Sequence, residues 1–159
     1  MNPDNYHLTL KFLGDVEETR TAEIGAALSE ATRGIQAFDI AFAGLGGFPT
    51  PTRPRVLWAG VTGGGPRLAD LARAVDDALV AIGFPPEPRA FSAHITLGRV
   101  REPRRDAGLA DALARAASVE LGSSRVDRVV LMRSQLSPAG ARYSEVSSAP
   151  LSAEIPRET

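Results

Sequence analysis

No cysteine occurs among the 159 residues. Disulfides, thiolate metal centres and a cysteine nucleophile are therefore excluded, and the expected setting is cytoplasmic. Histidine is almost as scarce, with two copies. These show neither H-x-H nor H-x-x-x-H spacing, so no metal is expected, and no cofactor. Lysine occurs once, as Lys11; the other basic residues are arginines. The net charge of −1 gives no broad basic surface for gripping long nucleic acid. A nucleic-acid substrate would have to be met locally, at an end or a loop. No run approaches the ~18 consecutive apolar residues of a membrane span. The opening MNPDNYHLTL lacks the basic-then-apolar pattern of a secretory signal. The glycine-rich stretches lack the Lys-Ser/Thr of a phosphate loop and do not extend to a dinucleotide fingerprint, and no G-x-S-x-G elbow is present.

What remains is an ordinary globular composition, 43% hydrophobic and 23% charged, at a length that suits one domain. Residues 6–13 alternate like a strand, with His7, Thr9 and Lys11 on one face and Leu8, Leu10 and Phe12 on the other. Asp15 and Glu18 form a capping-box pattern ahead of a helix carrying Ile24, Ala27, Leu28 and Ala31. A strand over 37–43, a turn-rich stretch over 44–54 and an apolar strand over 56–61, with Trp58 in the core, come next. The clearest helix is 67–82, closed by Gly83 and the prolines behind it. A second histidine strand spans 90–100, a helix follows with Leu109, Ala112, Leu113 and Ala116, and strands at about 125–133 and 142–148 end the chain. This order predicts an α+β fold with mainly antiparallel or mixed sheet.

The two histidines stand in matching phrases, His7-Leu8-Thr9-Leu10 and His94-Ile95-Thr96-Leu97. Two-residue spacing on a strand puts imidazole and hydroxyl on the same side, with the apolar neighbours anchoring the other. Two such pairs lining one cleft would supply a neutral imidazole to take a proton from water and an imidazolium to protonate a leaving oxygen. The threonine hydroxyls can donate to phosphate oxygens. The implied chemistry is metal-free phosphodiester hydrolysis. Arg99, at the end of the second motif's strand, can pair with a phosphate or stack on a base. Phe48, in a Gly/Pro loop, can stack a base. Lys11 is read as a solvent-facing lysine able to add charge on the His7 face.

PDNYHLTLKFLGDV, GLGGFP, PRVLWAGV, FSAHITLGRV and LMRSQLSPAGARYSEV together resemble the two-histidine (2H) phosphoesterase superfamily over essentially the whole chain. Within it, the chain is most similar to the RNA 2′,3′-cyclic phosphodiesterases, also called 2′-5′ RNA ligases. The resemblance implies one bilobal domain over 1–159, with two pseudo-symmetric lobes, two mainly antiparallel sheets flanking a central groove, helices outside, and one His-x-Thr from each lobe. It implies hydrolysis of RNA or nucleotide 2′,3′-cyclic phosphate ends to 2′-phosphates. His7 would be the proton donor and His94 the proton acceptor; Thr9 and Thr96 would bind phosphate, and Arg99 and Phe48 the substrate. The implied partners are RNA ends or small cyclic-phosphate nucleotides, with no membrane, and the expected state is a monomer. The alternatives are an impaired RNA-end or nucleotide-binding module, 2′-5′ ligation at the same site, and a cyclic phosphate of ADP-ribose as substrate. Two departures stand out. Ala93 replaces the proline usual before the second histidine. The family's additional strand and helix ahead of the first motif are missing from this sequence, from which a start assigned too late is expected.

Overall fold

The computed structural model describes residues 2–153. In chain order these form α1 (Thr21–Thr32), β1 (Phe38–Phe48), β2 (Val56–Gly63), α2 (Gly65–Val80), β3 (His94–Arg99), α3 (Ala107–Arg115), β4 (Glu120–Val126), β5 (Arg128–Ser137) and β6 (Gly140–Pro150). The class is α+β with antiparallel sheets, as the element order predicts.

The chain divides into two compact units. The first comprises the described parts of residues 1–9, 39–65 and 92–124. It holds α3 and all but the ends of a four-stranded sheet ordered β3-β2-β1-β4. Its buried residues include Ile40, Ala59 and Leu113. The second comprises residues 10–38, 66–91 and the described part of 125–159. There α1 packs on the β5–β6 hairpin, and the hairpin closes at Ser137↔Gly140 as the Ser-Pro-Ala-Gly sequence predicts. In α2 the residues Leu68, Leu71, Val75 and Leu79 are all buried. Each contributes about 1.5–3 kcal/mol of apolar burial, and the i, i+3/i+4, i+7 stripe is why this helix reads so clearly from sequence. The helix ends at Val80, and the turn behind it closes at Gly83, whose φ of +103° suits a residue without Cβ. Among the described residues, no helix is long and apolar enough to cross a membrane.

Four local expectations differ from the fold. Asp15 does not cap α1: the helix begins at Thr21 behind a short 3-10 turn, Glu18–Arg20, with Arg20 at the cap position and no side-chain cap bond. Residues 44–48 are strand rather than turn. Their backbone is held by β2 on one side, and on the other the Val119 and Ala116 carbonyls accept from the Gly44 and Leu45 N–H groups. β4 is polar and exposed and offers no alternation to read. The expected strand over 6–13 is reduced to an isolated bridge at Leu8; the alternation is present, but only one residue finds a ladder partner.

Lys11 is neither solvent-facing nor part of the His7 face. Its side chain is 5% exposed. The ammonium donates to the Asp76 carboxylate and, at 2.8 Å, to the Pro85 carbonyl. Asp76 also accepts from the Glu87 N–H at 3.1 Å. The Lys11 hydrogen bond, aided by the Glu87 N–H and the Lys11 charge, holds the Asp76 carboxyl below its ordinary value despite partial burial. A depressed carboxyl contributes stability that is present above the ordinary carboxylate range and lost as pH falls through the lowered value. Asp76→Asn strips the charged partner from a buried ammonium and should cost about 3 kcal/mol at neutral pH. The gap from wild type should narrow below about pH 4. Denaturant unfolding of both proteins across pH checks this, and equal stability at pH 7 would refute it.

Candidate functional site

The two His-x-Thr segments meet at one backbone bridge, where Leu8 pairs antiparallel with Ile95. Antiparallel register then sets His7 opposite Thr96 and Thr9 opposite His94. Leu8 and Ile95 take one face, so the two histidines and two threonines share the other. The sequence places a threonine beside each histidine on its own segment; antiparallel pairing at the bridge would add the other motif's threonine from across it. Both motifs belong to the first compact unit. This differs from the expected assignment of one motif to each lobe, because the His7 segment makes its ladder contact with β3.

The histidines repeat each other in a detail the sequence does not announce. His7 Nδ1 lies 2.7 Å from the Asn5 carbonyl oxygen, and His94 Nδ1 lies 2.8 Å from the Ser92 carbonyl oxygen. A carbonyl only accepts, so Nδ1 carries the proton in both rings and Nε2 is the atom left to gain or lose one. In each case the acceptor is the residue two before the histidine. For His7 it is the last residue of a 3-10 turn, Pro3–Asn5, which Asn2 caps by accepting from the Asp4 N–H at 3.1 Å. His94 is half-buried and His7 exposed.

β3 carries a second device. Trp58 pairs with Thr96 but Leu57 pairs with Gly98, so Leu97 is an extra residue in β3. This bulge reverses the alternation beyond it. Without it Arg99 would point away from His94 and Thr96. With it Arg99 pairs with Val56, which shares the face of Trp58, and therefore joins the two motif residues.

Phe48 also comes to this face, at the end of β1 and opposite Val56. Its ring stands edge-on to His94 at 5.4 Å between centroids and lies 5.3 Å from Trp58. It remains 39% exposed. Trp58 is half-buried rather than core, and its Nε1–H is buried with no hydrogen-bond partner. The indole sits over Gly46, where a Cβ would fall 2.1 Å from the ring. Beside it an apolar cavity of about 240 Å³ lies between β1 and α3, lined by Gly46, Trp58, Leu113 and Ala114 among others. Residues 7, 9, 94, 96, 99 and 48 are thus all in one unit, and Trp58, expected in the core, and Gly46, given no role from sequence, join them. The only available signal was the Gly-Gly before Phe48, which marks a close approach once the indole is known to cover it. Among the described residues no three His, Cys, Asp or Glu side chains gather as a metal site.

Comparison with known proteins gives a consistent picture. Residues 1–58 and 61–143 match the family model described as LigT like Phosphoesterase. The RNA 2′,3′-cyclic phosphodiesterase of Methanothermobacter thermautotrophicus is 41% identical over 146 residues, covering 92% of this chain and 78% of that protein. The protein of the same name from Aeropyrum pernix is 40% identical, covering 88% and 78%. Among solved structures, TT0787 of Thermus thermophilus superposes with a TM-score of 0.77 at 27% identity, covering 98% of this chain and 82% of that one. E. coli LigT bound to 3′-AMP gives 0.66 at 26% identity, covering 93% and 78%.

The packing of Trp58 on Gly46 can be tested by Gly46→Ala. The added methyl must displace the indole, at a cost of about 1–3 kcal/mol for overpacking. Trp58 is the only tryptophan, so its fluorescence reports the displacement directly. A variant with native emission and unchanged unfolding midpoint would contradict this packing.

Proposed function

The chain belongs to the LigT-like phosphoesterase family, and from that premise we propose that it hydrolyses RNA or nucleotide 2′,3′-cyclic phosphate ends to 2′-phosphates at the His7/His94 site, without a metal. The observation that carries the proposal is the antiparallel Leu8↔Ile95 bridge, which joins the two His-x-Thr segments at their middle residues. A cyclic phosphate attacked in line has a water on one side of phosphorus and the leaving oxygen on the other. A pair of proton carriers matches that geometry.

His94, neutral, takes a proton from water at Nε2 as the water oxygen bonds to phosphorus. The bond between phosphorus and the 3′ oxygen breaks, and His7, protonated, delivers its Nε2 proton to that oxygen. The products are a 2′-phosphate and a 3′-hydroxyl. The carbonyls of Asn5 and Ser92 orient both rings through Nδ1. Thr9 and Thr96 donate to the non-bridging oxygens, whose charge grows in the transition state. Phe48 steadies the His94 ring and offers its exposed face to a base. Arg99, re-phased by the bulge, contributes charge on the substrate side.

General acid and base catalysis are each worth about 10²–10⁴-fold, so His7→Ala and His94→Ala should each lose at least two orders of magnitude in rate on adenosine 2′,3′-cyclic monophosphate. The wild-type pH–rate profile should be bell-shaped. His7→Ala should flatten its alkaline limb, where the donor loses its proton, and His94→Ala its acid limb, where the acceptor gains one. Full turnover in EDTA with a 2′-phosphate product is expected. Binding without turnover would instead identify a nucleotide-binding module, and a chelator-sensitive rate would overturn the metal-free mechanism.

A further inference from the structure

The net charge of −1 conceals a concentration of arginine at one place in the first unit. Arg53, Arg55, Arg99, Arg101, Arg104 and Arg105 are all exposed. The two segments that carry them are tied together: the Val100 N–H donates to the Arg55 carbonyl at 2.9 Å and the Asp106 N–H to the Thr52 carbonyl at 3.3 Å. Arg53 Nε adds a bond of 3.2 Å to the Pro103 carbonyl. No carboxylate pairs with any of the six among the described residues. Glu102 and Asp106 lie in the same stretch, but Asp106 is engaged as the N-cap of α3, accepting from the Leu109 N–H at 3.0 Å. Six arginines against the two carboxylates Glu102 and Asp106 leave these two linked segments with a positive excess that suits an anionic ligand with several charges.

The patch begins on the face of the proposed site and leads away from it. Arg99 shares the face of His94 and Thr96, and Arg101, Arg104 and Arg105 follow it in the chain. From His94 to Arg99 is five residues of strand, roughly 15 Å at the usual rise. The arginines past it lie beyond the phosphate of a mononucleotide whose cyclic phosphate is at the histidines. A 2′,3′-cyclic phosphate occupies the 3′ terminus of an RNA, so the rest of the strand leaves in the 5′ direction and carries one phosphate per nucleotide. Planar guanidinium groups suit those phosphates, and such contacts position a strand without reading its sequence.

We propose that these arginines form a track that contacts the backbone phosphates of the RNA strand on the 5′ side of its cyclic-phosphate end. This rests on the reading of the site given above. The test uses the full chain and the triple variant Arg101→Ala, Arg104→Ala, Arg105→Ala, which leaves Arg53 and Arg99 intact. Turnover is measured on adenosine 2′,3′-cyclic monophosphate and on a single-stranded RNA of about ten nucleotides with a 2′,3′-cyclic end. Binding of the same RNA carrying a 2′-phosphate is measured against salt. For single strands each lost phosphate contact should lower the log–log salt slope by about 0.7, so the variant should lose about 2 from its slope and its KM for the RNA should rise about tenfold. Mononucleotide kcat/KM should stay within about twofold. An unchanged salt slope and unchanged RNA KM would overturn the track. So would polyglutamate competing as well as RNA at matched charge, since the partner would then be any polyanion. If neither substrate turns over, the reaction assignment fails, and the binding slope alone decides the track.

Discussion

A single backbone pairing, Leu8 with Ile95, is the contact on which the proposed site depends. It brings together residues far apart in sequence, fixes their register, and turns both aliphatic side chains to one face and four polar ones to the other. A slip of one residue would send His7 and Thr9 to one side and His94 and Thr96 to the other. No neighbouring pair of the His7 segment forms a named ladder, so the register rests on this bridge and on the 3-10 turn just before His7. That turn also presents the Asn5 carbonyl to His7. The same short stretch thus sets both the position and the tautomer of the His7 ring.

Around this contact the sheet gives up regularity for placement. The bulge at Leu97 sacrifices one ladder step and re-aims Arg99. Gly46 lacks a side chain, so the Trp58 indole can lie over it beside Phe48, and Phe48 in turn stands against His94. The second unit is built otherwise, from the regular apolar stripe of α2, the helix α1 on a long hairpin, and the buried Lys11–Asp76 pair. Regular packing and irregular strands are segregated, as expected when chemistry-bearing groups must be aimed while a core must only be filled.

Much of this was legible in the residues themselves. The helix α2, the β5–β6 hairpin and the α+β class follow from period and turn chemistry. The paired His-x-Thr phrases identify the candidate site because rare residues recur in one frame. What could not be read is where a local pattern competes with a distant partner. Asp15 and Glu18 look like a capping box, yet the helix begins later. GLGG looks like a turn, yet the end of α3 and β2 supply its backbone hydrogen bonds. Lys11 has the alternation of a surface lysine, but its carboxylate lies 65 residues away.

The sequence by itself determined the reactive groups, their spacing and the face each motif presents, because two-residue spacing in extended backbone is a local property. Tertiary structure alone decided that the two motifs meet at Leu8 and Ile95, which ring nitrogen keeps its proton, and the side of its strand that Arg99 takes. Those three depend on register, on a carbonyl's position and on one inserted residue in a ladder, and none is a property of a segment taken alone. The gathering of arginines is of the same kind. Net charge averages over the chain, whereas a track for a charged strand requires two loops to be tied side by side.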